Sequence, residues 1–146
     1  MKYFTSTLWE EMQHSESRDR AEKEWDENVE LYKTYFTDIK RSLPKSFLKI
    51  FDKECGFHDF SIKEINTTSC TRKTVSDIVN VTIIVSNGKN QYDIMLKNVE
   101  ILNINIINKL HCICGRISWG YSEFELLENQ KIELRIICDV HNEICF

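Results

Sequence analysis

The stretch VNVTIIVSNGKNQYDIML, residues 79–96, has an apolar or aromatic side chain at every second position over residues 79–85 and again over residues 92–96, with Asn87-Gly88 between the two runs. A two-residue period is typical of a strand with one buried side, because neighbouring side chains of a strand point to opposite faces. Asn-Gly is the pair that the two-residue type I′ turn favours most. The stretch therefore predicts a β-hairpin with its turn at Asn87-Gly88.

Further strands follow the same period along the rest of the chain. Residues 60–62 and 132–138 alternate in this way, and a last strand begins at Ile144. Within residues 113–126 the apolar positions change from odd to even, which predicts a β-bulge at Gly120. Because no helical period separates these strands, we predict an antiparallel sheet of about six strands.

The residues before position 55 follow a helical period instead. Apolar side chains recur every three or four residues on one stripe, formed by Trp25, Val29, Tyr32, Phe36, Ile39 and Leu43. Pro44 ends this helix, because the residue before a proline is excluded from the helical conformation, and a shorter helix follows it. We therefore predict one α+β domain over residues 1–146, with N-terminal helices (1–54) packed on one face of a C-terminal antiparallel sheet (55–146).

Composition and charge exclude several classes of protein. Apolar residues make up 42% of the 146-residue chain and charged residues 29%, as in an ordinary packed domain. The net charge of −4 excludes a basic nucleic-acid-binding protein, and no apolar run has the length of a membrane span. The first residues lack the continuous apolar segment of a signal peptide, so we expect a cytoplasmic protein with reduced thiols and neither a nucleic-acid nor a membrane partner.

The first candidate site lies at the junction of the two segments. A histidine held by a carboxylate, such as His58-Asp59, can act as a base or bind a metal. Neighbouring strand residues point to opposite faces, however, so we do not expect these two side chains to meet. Tyr121 and Glu123, beside the predicted bulge, complete a candidate pocket for a small ligand or a reaction. The alternative is that these side chains have structural roles. His58 or Asp59 then stabilises the turn, Tyr121 covers a helix, and Glu123 faces water.

A second candidate site combines His111-Cys112-Ile113-Cys114 with Cys138-x-x-His141. Thiolates and imidazoles are the preferred ligands of zinc, so Cys112, Cys114, Cys138 and His141 form a candidate metal set. The C-x-C spacing departs from the usual zinc knuckle. Alternating cysteines are equally typical of a half-buried strand, because free cysteine behaves as a small apolar residue.

Other chemical motifs are missing from the sequence. It contains no G-x-S-x-G nucleophile motif and no phosphate-binding P-loop, and it indicates no cofactor. These observations leave the question of an enzyme open and favour a protein without catalytic activity.

The leading prediction is therefore a non-catalytic cytosolic protein-interaction module. The acidic stretch from Glu16 to Glu30 is either a solvated helix face or a docking surface for a basic partner protein. One concrete form is an immunity-type protein that neutralises a toxin, by analogy with small acidic α+β domains. An exposed strand after Ile144 would also offer an edge for a homodimer.

Several short segments resemble one bacterial family. They are Met1-Lys2-Tyr3-Phe4-Thr5 with Trp9, Phe57-His58-Asp59, Leu96-Lys97-Asn98-Val99, and Trp119-x-Tyr121-x-Glu123. Members of that family are small soluble proteins that carry a domain of unknown function and typically open with MKYFT. The resemblance implies the same division into helices and sheet, and it implies no catalytic residues, because no activity is established for the family.

Overall fold

The computed structural model describes residues 1–69, 79–105, 117–138 and 142–145 and confirms the predicted α+β class. The helices are α1 (Ser6–Glu11), α2 (Arg18–Ile39) and α3 (Lys45–Lys53), with short 3-10 turns at Lys40–Ser42 and Cys55–Phe57. The strands are β1 (Phe60–Ser69), β2 (Val79–Ser86), β3 (Gln91–Val99), β4 (Asn103–Asn105), β5 (Ile117–Leu126), β6 (Ile132–Cys138) and β7 (Asn142–Cys145). The helical part thus precedes the sheet along the chain.

The apolar stripe predicted for the first segment forms the buried side of α2. Trp25 and Ile39 are buried, and Tyr32 and Phe36 pack against the cores on the same side of the helix. The helix stops at Ile39, where a 3-10 turn leads to Leu43 and Pro44. Leu43, the residue before the proline, is extended, which ends the helical run, and Pro44 is the N-cap residue of α3.

The described strands form one antiparallel sheet in the order β3-β2-β1-β5-β6-β7-β4. The predicted hairpin joins β2 to β3, but its turn differs from the expected type. The backbone N–H of Asn87 donates to the carbonyl of Asn90 at 3.2 Å, so Gly88 and Lys89 are the central pair. Only Gly88 of these two has a positive φ, of +85°, which is the pattern of a type II′ turn. The prediction of a type I′ turn centred on Asn87-Gly88 was wrong, because Asn87 precedes the two central residues of the turn and pairs with Asn90.

The strand that begins near Ile144 is not an edge strand. β7 lies between β6 and β4, and the side chain of Ile144 is fully buried. The expectation that this strand offers an open edge is therefore wrong for the described residues. Local periodicity identifies a strand, but the order of strands depends on long-range pairing. The described sheet ends at β3 on one side and at β4 on the other.

Two hydrophobic clusters hold the helices on the sheet. The main core contains Ile39, Phe57, Phe60, Val81, Ile83, Val85, Ile94, Val99, Trp119, Phe124, Leu134, Ile136, Cys138 and Ile144. The second cluster contains Phe4, Leu8, Ala21, Trp25 and Ile137. Because Ile136 and Ile137 are neighbours on β6, the two clusters lie on opposite faces of that strand. Helix α3 and the end of α2 contact the main core, whereas α1 and the start of α2 contact the second cluster.

Helix α2 also covers part of the edge of β5. Strand β1 pairs with β5 only at residues 117–119, so no described strand pairs with the remainder of this side of β5. The hydroxyl of Tyr32 accepts a hydrogen bond from the backbone N–H of Phe124, and the hydroxyl of Tyr35 accepts one from Leu126. Two tyrosines one helical turn apart thus take the place of a neighbouring strand.

Candidate functional site

The bulge predicted at Gly120 determines which side chains of β5 point toward the second cluster. The register between β5 and β6 shifts between Trp119 and Tyr121, which confirms the bulge. A Cβ atom at Gly120 would lie 2.7 Å from the carbonyl oxygen of Ile137, so only glycine fits this close approach. After the bulge, Tyr121 and Glu123 lie on one face of the strand and Phe124 on the other.

Glu123 holds the N-terminal segment on the protein. Its side chain is only 4% exposed, and Oε2 accepts a hydrogen bond from the backbone N–H of Lys2 at 2.8 Å. Oε1 accepts two more, from Tyr3 at 2.7 Å and from Phe4 at 2.5 Å. Hydrogen bonds to a carboxylate are stronger than those between neutral groups, so this contact ties residues 2–4 to β5. Thr5 then caps α1 by accepting from the N–H of Leu8.

His58, Asp59 and Tyr121 meet at the surface beside that segment. Nδ1 of His58 lies 3.1 Å from Oδ2 of Asp59, and the imidazole ring stands edge-on to the ring of Tyr121 with centroids 4.9 Å apart. The expectation that His58 and Asp59 do not meet was therefore wrong. It assumed strand geometry, but β1 begins only at Phe60, and Asp59 adopts a left-handed conformation with φ of +64°. Aspartate tolerates this conformation better than most residues, and it turns the carboxylate back toward His58.

An aromatic layer lies beneath this surface group. Tyr121 contacts Trp25, Trp9 and Phe4 with ring centroids 4.7, 5.6 and 5.5 Å apart. Burial, and to a smaller extent the charge of Asp59, raises the pKa of the Tyr121 hydroxyl. Tyr121 therefore remains a neutral phenol over the physiological pH range.

The structure brings together three of the four candidate pocket residues. His58, Asp59 and Tyr121 form a contiguous group, whereas the Glu123 carboxylate is directed at the N-terminal backbone. The His58 and Asp59 side chains are 38% and 81% exposed, so water reaches both. A histidine beside a carboxylate can exchange protons, but an open surface does not exclude water from a reacting group.

Sequence reasoning missed the residues that surround this group. Phe4, Trp9 and Trp25 support Tyr121, and the backbone N–H groups of residues 2–4 occupy Glu123. Trp9 and Trp25 carried a signal, since large aromatic residues in amphipathic helices pack against a sheet. The backbone N–H groups that bind Glu123 gave no sequence signal, because every residue except proline has such a group.

The candidate zinc site falls mostly outside the described residues. Cys112, Cys114 and His141 lie there, while Cys138 is buried in the main core opposite Trp119 on β5. Within the described part of the chain, no group of three or more potential ligands could hold a metal ion. Zinc binding at these residues stays a prediction.

The acidic stretch forms the exposed side of α2. The helix contains four basic and seven acidic side chains, a net charge of −3. Leu31 is 60% exposed on this side, one or two turns from Glu27, Glu24 and Asp38. Glu27 lies 4.0 Å from Lys23, and Glu24 lies 3.4 Å from Arg20, but both pairs are open to solvent and contribute little stability.

No family model, curated protein or solved structure matches this chain. The resemblance to the bacterial family that opens with MKYFT therefore stays a prediction. Among the described residues there is no helix with the length and apolar character needed to cross a membrane.

Proposed function

We propose that this chain is a non-catalytic cytoplasmic interaction module that binds a partner protein with a basic surface through the exposed side of α2. The observation that supports it most directly is Leu31, a large apolar side chain that is 60% exposed on an acidic helix. Interfaces commonly place an apolar contact at the centre and charged groups around it. An immunity-type inhibitor that neutralises a toxin is one concrete form of such a module.

The charges on α2 favour a basic partner. The ion pairs within the helix are exposed and each is worth little, so they exchange readily for contacts with another protein. The excess of carboxylates would accelerate association with a positively charged surface, and this effect weakens as salt is added.

The hydrogen bonding and burial of the Glu123 carboxylate support a non-catalytic role for this protein. Its two oxygens accept three backbone hydrogen bonds in a buried position, so the carboxylate is occupied by a structural task. The other three residues of the candidate pocket, His58, Asp59 and Tyr121, form a group at the surface.

Two substitutions on α2 test the proposal. Leu31→Ser and Glu27→Lys alter the proposed contact without touching buried residues, so both variants should fold normally. Their matched controls are Ile101→Ser, at an apolar side chain that is 67% exposed, and Glu128→Lys, in the exposed turn after β5. Affinity purification from the native host should recover one basic protein with the wild type and both controls, and lose it with both α2 variants. Recovery of the same proteins with the α2 variants, or of no basic protein with the wild type, would refute the proposal.

The second candidate function is binding of a small ligand at His58, Asp59 and Tyr121. The contacts that favour it are the 3.1 Å approach of His58 to Asp59 and the packing of the imidazole on Tyr121. Ligand screening by NMR tests it. Compounds that shift signals of all three residues, and that no longer bind to His58→Ala, would support this function over the first.

A further inference from the structure

Among the described strands, none pairs with the outer edge of β3. β3 spans Gln91–Val99 at one end of the described sheet, and β2 is its partner on the other side. The side chains of Gln91, Asp93, Met95 and Lys97 are exposed, and Met95 is 59% exposed. An open edge strand is a template for pairing with another strand.

The hydrogen bonds of the hairpin show which backbone groups of β3 face outward. Because Asn87 and Asn90 form a hydrogen-bonded pair next to the turn, bonding to β2 alternates from there along β3. Tyr92, Ile94 and Leu96 therefore bond toward β2. The N–H and C=O groups of Asp93 and Met95 point to the open side, and we extend this alternation to Lys97, which follows Leu96, the last paired residue of the regular register.

The side chains on this edge are self-complementary. Asp93 and Lys97 lie two residues before and two residues after Met95. A two-fold axis through Met95, perpendicular to the sheet, would therefore place each Asp93 opposite Lys97 of a second copy. On the core side, the same axis would place Ile94 opposite Leu96 of the second copy, so the apolar layer would continue from one sheet into the next.

We propose that two copies of this chain pair antiparallel through β3, with Met95 on the two-fold axis and two Asp93–Lys97 ion pairs across it. A shift of the axis to Ile94 would set Asp93 against Met95, and a shift to Leu96 would set Lys97 against Met95. Both shifts lose the ion pairs, so charge complementarity selects the register centred on Met95. This pairing uses neither α2 nor Glu123 and is independent of the proposed function.

The dimer is expected to be weak. The register between β2 and β3 shifts between Val81 and Val79, opposite residues 97 and 98 of β3, and this ends the straight part of the edge. Pairing is then confined to the residues around Met95 and gives about six backbone hydrogen bonds. Interfaces this small lie at the low end of protein–protein interfaces, so we expect a weak dimer that forms only at high protein concentration.

Charge exchange tests both the dimer and its register. Sedimentation equilibrium of the whole chain at concentrations up to about 1 mM should show a monomer–dimer equilibrium. Asp93→Lys should weaken dimerisation at least about tenfold, because it sets two lysines against each other on both sides of the axis. The double exchange Asp93→Lys with Lys97→Asp should restore the dimer, whereas the control Glu128→Lys should leave it unchanged. A monomer at every concentration, a dimer that Asp93→Lys does not weaken, or no recovery in the double exchange would overturn the proposal.

A cross-linking experiment measures the register separately. Hydrogen-bonded antiparallel pairs have Cα atoms about 5.5 Å apart, within the range of a disulfide. Met95→Cys should therefore form a covalent dimer on mild oxidation, and Gln91→Cys should not, because that position lies opposite Val99. The wild type shows how much cross-linking the native cysteines contribute. Equal cross-linking of all three proteins would refute the register.

Discussion

The hydroxyl oxygen of Tyr32 lies 2.7 Å from the backbone nitrogen of Phe124 and accepts its hydrogen bond. Tyr35 makes the same contact with Leu126 at 3.1 Å. Burial raises the pKa of Tyr32 well above its ordinary value, so the hydroxyl stays protonated. A helix thus closes the part of β5 that β1 leaves uncovered, and it does so with two side chains rather than with another strand.

Removal of the Tyr32 hydroxyl should destabilise the protein. Tyr32→Phe leaves the N–H of Phe124 without an acceptor and should lower the free energy of unfolding by about 1–3 kcal/mol. Tyr35→Phe should cost less, because its hydrogen bond is longer. Chemical denaturation gives these values. The control is Tyr121→Phe, whose hydroxyl has no hydrogen-bond partner among the described residues. An equal effect of all three substitutions would contradict the edge-closing role.

Loss of the Glu123 carboxylate should release the N-terminal segment. Glu123→Ala removes the acceptor of three hydrogen bonds and should lower the free energy of unfolding by about 3 kcal/mol. Hydrogen exchange should then accelerate at the amides of Lys2, Tyr3 and Phe4. Glu128→Ala, at an exposed turn, should stay within about 0.5 kcal/mol of the wild type. Unchanged exchange at the three amides would show that other contacts hold this segment.

The pKa of Glu54 should depend on Tyr92. The Tyr92 hydroxyl donates to Glu54 at 2.6 Å, and this bond, followed by the ion pair with Lys53, lowers the pKa of Glu54 below its ordinary 4.5. Because the pKa is lower in the folded protein, the stabilisation is present above pH 4.5 and is lost as the pH falls through the folded value. Tyr92→Phe should raise the pKa toward 4.5, as measured by NMR titration of the side-chain carboxyl. The control Tyr121→Phe should leave it in place, and an unchanged pKa in Tyr92→Phe would contradict the assignment.

Gly120 should tolerate alanine less well than Gly88. An added Cβ at Gly120 meets the backbone oxygen of Ile137, which cannot move without breaking the β5–β6 pairing, so Gly120→Ala should cost at least about 2 kcal/mol. Gly88 has open space around it, so Gly88→Ala meets no clash and should cost about 1–2 kcal/mol, for its positive φ of +85° alone. Thermal and chemical denaturation compare the two. The reverse order would show that the bulge relaxes easily.

The sequence predicted the local features of this fold well. The hairpin, the helical stripe, the break at Pro44 and the bulge at Gly120 all follow from side-chain periodicity or from one special residue. The exact turn between β2 and β3 did not follow, because Asn87-Gly88 is compatible with two placements in the loop. A hydrogen bond between Asn87 and Asn90 selects one of them.

The candidate site was predicted less completely. The sequence singled out His58, Asp59, Tyr121 and Glu123, yet it implied that His58 and Asp59 would diverge. The left-handed backbone at Asp59 brings them together, and such a conformation has no reliable signal at a non-glycine residue. The partner of Glu123 lies about 120 residues away in the chain and consists of backbone groups, which no side-chain pattern reveals.

The sequence by itself determined the α+β class, the division between helices and sheet, and the acidic side of α2. These properties depend on periodicity and charge, which act over a few residues and can be read along the chain. Only the tertiary structure decided that β7 lies inside the described sheet, that β3 lies at one end of it, and that Glu123 holds the N-terminal segment. These depend on which distant segments pair, and the free energy of that choice is shared among many weak contacts rather than written in any one motif.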